Sequence, residues 1–210
     1  MKKVFFATEN ESKAKRFEKG LLKNGIEIIT INDIENKINI EENGETAIEN
    51  ALIKARTYAK EMDCPVFAMD DNLYIEGIPE NKQPGMYVRR VNGKRLSDNE
   101  MIEYYSKLAH DYGEKGKLTC RWVYGIAVIN NGIEYTYTWS KEDFYIIDKP
   151  SDKINPGYPL NTISINKKLN KYFTDMTDKD RKETNEDESD VLNFLCEKLY
   201  SKREAQIWIK

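Results

Sequence analysis

The chain has a single histidine, His110, among 210 residues. Hydrolytic mechanisms built on an imidazole base would all have to use it. It lies in Ala109-His110-Asp111-Tyr112-Gly113, a pattern that reads as a helix end, where a cationic ring complements the carbonyl terminus. A surface role is expected. The three cysteines, Cys64, Cys120 and Cys196, are far apart with no CxxC spacing, which excludes a disulfide framework or a zinc site and leaves buried reduced thiols. No GxGxxG and no Walker glycine loop occurs. No run approaches the ~20 apolar residues of a membrane helix, and no signal-peptide pattern precedes Lys2-Lys3-Val4-Phe5-Phe6, so a cytoplasmic location is expected. The net charge of -3 gives no overall attraction to nucleic acid. Any bound anion therefore needs locally concentrated positive charge.

What is present suits one sizeable domain, spanning 1–210, or two lobes sharing a cleft: 40% of residues are hydrophobic and 33% charged. Lys3 to Ala7 reads as a buried strand, turning at Thr8–Ser12 into a helix over 12–23 with Ala14, Phe17, Leu21 and Leu22 on its apolar face. Glu27–Ile31 is a second strand, parallel to the first. Thr46-Ala47-Ile48-Glu49 is a capping box opening a helix that buries Ile48, Ala51, Leu52, Ala55, Ala59 and Met62, with Lys54 off that stripe. Pro65 ends the helical stretch, and Val66–Met69 is a short buried strand delivering Asp70 and Asp71 at its carboxyl end, where ligands of open α/β sheets bind. Residues 72–96 read as a long irregular loop. A helix near 97–110 follows, then a hairpin of strands 121–129 and 133–139 around Asn130-Asn131-Gly132, and Phe144–Ile147 as a candidate further strand. Short helical pieces, a helix near 187–202 and a strand at 205–209 complete a mixed α/β fold with two lobes around a central cleft.

Three constellations carry chemistry. At Thr8-Glu9-Asn10-Glu11-Ser12-Lys13 a strand turns into a helix, whose free N–H groups and dipole favour an anion; an ordinary capped helix start reads the same way. Asp70-Asp71 place two repelling carboxylates together, which suits a cation or proton transfer, or else exposed acids at a strand end. Glu42 precedes the capped helix and shares this ambiguity; one of Glu41 and Glu42 is expected to be surface charge alone. Arg89, Arg90 and Arg121 serve phosphate or brace Asp70 or Glu42. Carboxylates for a divalent cation and lysines for phosphate oxygens are what phosphate-ester chemistry requires.

These segments occur in one order that resembles the inosine/xanthosine triphosphate pyrophosphatase family. Its Thr-x-Asn-x-x-Lys turn is matched by Thr8, Asn10 and Lys13. Its acid-x-Gly-x-Thr-x-x-Glu-Asn-Ala-x-x-Lys-Ala segment is matched by Glu42, Gly44, Thr46, Glu49, Asn50, Ala51, Lys54 and Ala55. Its paired aspartates are Asp70 and Asp71, and its Pro-Gly-x-Tyr loop is Pro84, Gly85 and Tyr87. The resemblance runs from Lys3 to about Arg90 and continues more faintly from Arg121. It implies a homodimer that, with Mg²⁺, hydrolyses a nucleoside triphosphate to the monophosphate and pyrophosphate, with no nucleic-acid or membrane partner. In that scheme Asp71 handles the attacking water, and Glu42, Asp71 and Asp70 hold the metal. Thr8, Asn10, Lys13 and Lys54 bind phosphates, while Asn72, Tyr158 and Arg181 fall at nucleotide-binding positions.

The chain also departs from the pattern. Asn72 and Leu73 stand where serine and glycine are usual, and Glu9 puts an acid in the turn. The Gly-Phe-Gly-Tyr-Asp-Pro base loop is reduced to Asn155-Pro156-Gly157-Tyr158-Pro159-Leu160. The Lys followed by Ser-His-Arg that reads a 6-oxo group becomes Arg181 followed by Asn185-Glu186-Asp187. Acceptors there suit an exocyclic amine rather than a keto oxygen, so inosine triphosphate is expected to be a poor substrate unless other residues read it. The rival readings are a nucleotide-binding or regulatory protein of the same fold, and a pyrophosphatase of another modified nucleotide, such as a pyrimidine.

Overall fold

The computed structural model describes residues 1–184 and 188–200. The elements, in chain order, are β1 (Lys2–Phe6), α1 (Glu11–Lys23), β2 (Ile26–Thr30), α2 (Ala47–Tyr58), β3 (Val66–Ile75), β4 (Arg90–Val91), β5 (Lys94–Arg95), α3 (Asp98–Tyr112), β6 (Lys117–Asn130), β7 (Ile133–Ile147), β8 (Ser164–Asn166), β9 (Lys171–Tyr172), α4 (Asp178–Glu183) and α5 (Ser189–Leu199). Seven strands make one mixed sheet, in the order β2-β1-β3-β6-β7-β8-β9, flanked by helices; β4 and β5 pair separately. The contacts divide the chain into two compact units. Of the described residues, one comprises 1–70, 124–139 and 188–200; the other comprises 71–123 and 140–184. No helix among the described residues is long and apolar enough to cross a membrane.

In the first unit β1 pairs in parallel with both β2 and β3. Alternation along β1 sends neighbouring aromatics to opposite faces. Phe5 meets Tyr58 of α2 with ring centroids 4.9 Å apart, while Phe6 stacks on Phe67 and meets Phe17 of α1 edge-on. Val66–Met69 is buried throughout, as a strand covered on both faces must be. Against α2 the core holds Ala51, Ala55, Ala68 and Ala127, small residues that let the helix lie close to the strands. The β6–β7 turn is Asn131-Gly132, both at positive φ (51° and 74°), the conformation a two-residue hairpin of matching twist needs.

The second unit packs Met101, Tyr105 and Leu108 of α3 with Leu73, Ile75, Leu118, Phe144 and Ile146. Four expectations are corrected here. The strand from Val66 does not stop at Met69, because Leu73 and Ile75 belong to this second core and Leu73 exchanges backbone hydrogen bonds with Gly85 (2.8 and 3.0 Å). Asp70 and Asp71 therefore lie within β3 rather than at its end. The 72–96 stretch is not one irregular loop; it holds the end of β3, a 3-10 turn at Glu80–Lys82, and the β4–β5 hairpin. Likewise Phe144–Ile147 is the end of β7, not a separate strand. The 205–209 strand falls outside the described residues. All three cysteines are free, but only Cys120 is buried; Cys64 and Cys196 are half-buried.

The stretch 175–190 is rich in Lys, Asp and Glu, yet Asp180 within it is not on a solvated face. It is buried at the start of α4, where it accepts from the Thr177 N–H (2.8 Å) and from Lys171 Nζ (3.0 Å). The Thr177 N–H, then the Lys171 ammonium and the Thr177 hydroxyl, bring its carboxyl from 3.8 down to about 2. A folded value below the unfolded one adds stability above the unfolded value, and that stability is lost as pH falls through the folded value. The stability gap between wild type and Asp180→Ala is therefore expected to be constant above about pH 5 and to shrink between about pH 4 and pH 2. Urea unfolding at a series of pH values checks it; a gap that does not change with pH refutes the assignment.

Candidate active site

The Thr8–Lys13 turn closes on itself. Thr8 Oγ1 accepts from the Asn10 N–H (3.1 Å), and Asn10 Oδ1 caps α1 by accepting from the N–H groups of Ser12 (2.9 Å) and Lys13 (3.3 Å). Glu9 turns away to pair with Lys37 Nζ at 3.3 Å, which removes the objection to an acid in this turn.

Glu42 is placed by the start of α2. Thr46 and Glu49 form the expected capping box, with the Glu49 carboxylate accepting from the N–H groups of both Thr46 (3.2 Å) and Glu45 (2.7 Å). The Asn50 side chain, only 1% exposed, accepts from the Gly44 N–H at 2.8 Å. A Cβ at Gly44 would lie 2.7 Å from that same Asn50 oxygen. Gly44, Thr46, Glu49 and Asn50 are thus the scaffold, and Glu42 and Lys54 are what it presents.

The charged groups converge within the first unit. Lys54 Nζ lies 3.0 Å from Asp70 Oδ2 and 3.2 Å from Glu42 Oε2, and Lys13 Nζ is 4.0 Å from Asp70 Oδ1. The Lys54 side chain is 12% exposed, a degree of burial that an ammonium tolerates only when paired. Burial pushes the Glu42 carboxyl up, Lys54 opposes that, and the neighbouring Asp70 carboxylate adds to it through charge and a shared hydrogen bond. Two carboxylates in contact, flanked by two lysines, form a site poised to exchange partners with a cation and an anion. Asp71 follows Asp70 directly in β3.

The remaining expected residues lie in the second unit. Asn72 is buried; its Nδ2 donates to the Tyr74 hydroxyl (3.4 Å), while its Oδ1 has no hydrogen-bond partner among the described residues. Tyr158 opens the 3-10 turn Pro159–Thr162. Arg181, in α4, donates to the Phe173 carbonyl at 2.9 Å. Arg89 pairs with Asp98 at 2.7 Å, and Arg121 lies over the Tyr74 ring at 5.3 Å. Asp98, which also accepts from the Gly157 N–H at 3.0 Å, escaped the sequence reading. Its only sequence signal is a place just after Ser97 in a capping box. His110 is exposed at the end of α3, with Nδ1 3.7 Å from Asp148. Asn185, Glu186 and Asp187 lie outside the described residues.

Residues 4–189 match the Ham1 family. The chain belongs to that family. A relative from Bacillus subtilis (strain 168), named dITP/XTP pyrophosphatase, is 31% identical over 200 residues, covering 95% of this chain and 98% of the relative. Another of the same name from Thermoanaerobacter sp. (strain X514) is 34% identical over 157 residues, covering 74% and 77% of the two chains. The Ham1 fold recurs in solved structures. The Staphylococcus aureus Ham1 protein superposes with a TM-score of 0.70 over 92% of this chain and 98% of its own, at 21% identity. A HAM1 protein from Coxiella burnetii gives 0.70 over 94% and 100%, at 24% identity. The mixed α/β architecture expected from the sequence is the architecture of these Ham1 proteins.

Proposed function

We propose that this Ham1 protein hydrolyses a non-standard purine nucleoside triphosphate, such as dITP or XTP, to the monophosphate and pyrophosphate. The observation that carries the reading is the Lys13–Asp70–Lys54–Glu42 cluster beside the Thr8–Lys13 turn, in a chain whose relatives are named for that activity. Thr8, Asn10, Lys13 and Lys54 bind the phosphates: the lysines as point charges, Thr8 and Asn10 by side-chain polar groups and the turn they fix. Asp71 takes the proton of the attacking water. Asn72, Tyr158 and Arg181 contact the nucleotide, and the unpartnered buried Asn72 oxygen supports its share of that role.

Among the described residues no three acidic, histidine or cysteine side chains converge as a ready metal cage. Mg²⁺ seldom needs one, since one or two carboxylates with water and substrate phosphates usually hold it. The Glu42–Asp70 pair fits that description, with Asp71 next in the chain. A bound cation would neutralise charge on the phosphate oxygens. The full chain is taken as one functional domain, acting in the cytoplasm as a homodimer, which sedimentation equilibrium tests.

A nucleotide panel with pyrophosphate detection, run with and without Mg²⁺, decides the activity. The expected result is metal-dependent pyrophosphate release, fastest with inosine or xanthosine triphosphate as the relatives' name suggests, which requires that residues other than Glu186-Asp187 read the base. Absence of release from every nucleotide would leave a binding or regulatory protein. The acidic Glu186-Asp187 in place of His-Arg favours a second reading, in which the preferred base presents an exocyclic amine; a ranking led by amine-bearing bases, with inosine triphosphate poor, would select it.

A further inference from the structure

Asp98 is the first residue of α3, yet the hydrogen bonds its carboxylate accepts come from outside that helix. The cap is complete without it. Ser97 Oγ accepts from the Glu100 N–H (3.3 Å), and the Glu100 carboxylate accepts from the Ser97 N–H (2.8 Å) and hydroxyl (2.9 Å). Both Asp98 oxygens are instead spent on irregular segments of the same unit. Oδ1 accepts from Arg89 Nη1 at 2.7 Å, and that nitrogen also reaches the Leu96 carbonyl at 3.3 Å. Oδ2 accepts from the Gly157 N–H at 3.0 Å. Gly157 sits at φ 80°, a conformation costly for most other residues, and immediately precedes Tyr158.

The two segments are thereby joined through one carboxylate. The first, following Pro84-Gly85-Met86-Tyr87, is also pinned by the Tyr105 hydroxyl, which donates to the Val88 carbonyl at 2.9 Å. Burial pushes the Asp98 carboxyl up, but the Gly157 N–H and the Arg89 guanidinium outweigh it, and the group lies below its ordinary 3.8. The charge is thus held ionised by the two segments it links.

We propose that Asp98 is a positioning residue for substrate, fixing the Asn155–Tyr158 turn so that Tyr158 is set for the nucleoside portion. This rests on the pyrophosphatase reading above. Asp98 accepts from Arg89 and Gly157, neither of which is among the residues assigned to the metal or the phosphates. Its effect should therefore fall on nucleoside binding and leave pyrophosphate recognition, assigned to Lys13 and Lys54, unaltered.

Steady-state kinetics on Asp98→Ala and Asp98→Asn, with both products as inhibitors, test this. For Asp98→Ala, KM for the nucleoside triphosphate should rise about tenfold and kcat should stay within about threefold. The inhibition constant of the nucleoside monophosphate should rise with KM, and that of pyrophosphate should not move. Asp98→Asn keeps an oxygen for the Gly157 N–H and should fall between wild type and alanine. Ser97→Ala, which removes only the cap, should lower the melting temperature without raising KM. Unchanged KM and monophosphate inhibition in both Asp98 variants overturn the proposal, as does an equal rise in the pyrophosphate constant. If Asp98→Ala does not fold, Asp98→Asn is judged by the same criteria. A wild-type protein that releases no pyrophosphate overturns the underlying reading and this inference with it, a failure visible in the wild-type arm alone.

Discussion

Asp71→Asn is expected to lower kcat by about a thousandfold or more while nucleotide affinity changes by no more than about threefold. The amide matches the carboxylate in size and keeps an acceptor oxygen, so β3 and its packing should survive the change. It cannot take a proton from water, and it is a poorer ligand for a hard cation. Phosphate binding is assigned to Thr8, Asn10, Lys13 and Lys54, none of which the substitution touches. The two effects should therefore separate. Pyrophosphate release measures turnover, and calorimetry with a non-hydrolysable analogue measures binding. Full activity in this variant would remove Asp71 from the chemistry. A loss of binding equal to the loss of rate would make it a structural or metal-holding residue only.

The second large effect is expected at Gly125, in β6. A Cβ there would lie 2.5 Å from the Ile48 nitrogen, 2.6 Å from the Ile48 Cα and 2.8 Å from the Ala47 carbonyl carbon. All three are backbone atoms of the first turn of α2, so no side-chain rotation relieves the clash. Gly125→Ala should destabilise by about 1–3 kcal/mol, the usual cost of overpacking. In a chain of this size each kcal/mol is worth ~2–4 °C, so the melting temperature should fall by roughly 2–12 °C. The function should suffer as well, because the displaced turn is the one that anchors Glu42 and aims Lys54 at Asp70. Calorimetric melting checks the first effect, and KM for the triphosphate checks the second. An unchanged melting temperature would mean that α2 does not lie against β6 as described.

The elements most legible in the sequence were those with a local cause. The Thr46–Glu49 capping box, the Asn131-Gly132 turn and the parallel β1–β2 pair follow from contacts between near neighbours or from one short crossover. The β3 boundary was not legible, because the four buried residues Val66–Met69 give way to two acids, which look like a strand end. Burial of Leu73 and Ile75 in a separate core carries the strand through them. Arg89 read as a brace for Asp70 or Glu42, since charge alone cannot say which acid a long side chain will meet. Its partner, Asp98, is close in sequence but belongs to a loop-to-helix junction whose purpose appears only when Gly157 arrives from 59 residues further on.

The sequence by itself determined the family and the chemical inventory: lysines, carboxylates and a capped helix in a fixed order. These are properties of residue type and spacing, which survive without coordinates. Only the tertiary structure decided the pairing. Lys54 is shared between Glu42 and Asp70, 12 and 16 residues away, because α2 is held close to the sheet by alanines and by Gly125. Ion pairs across such separations depend on how closely two elements pack, and packing distance is set by side chains elsewhere in the chain.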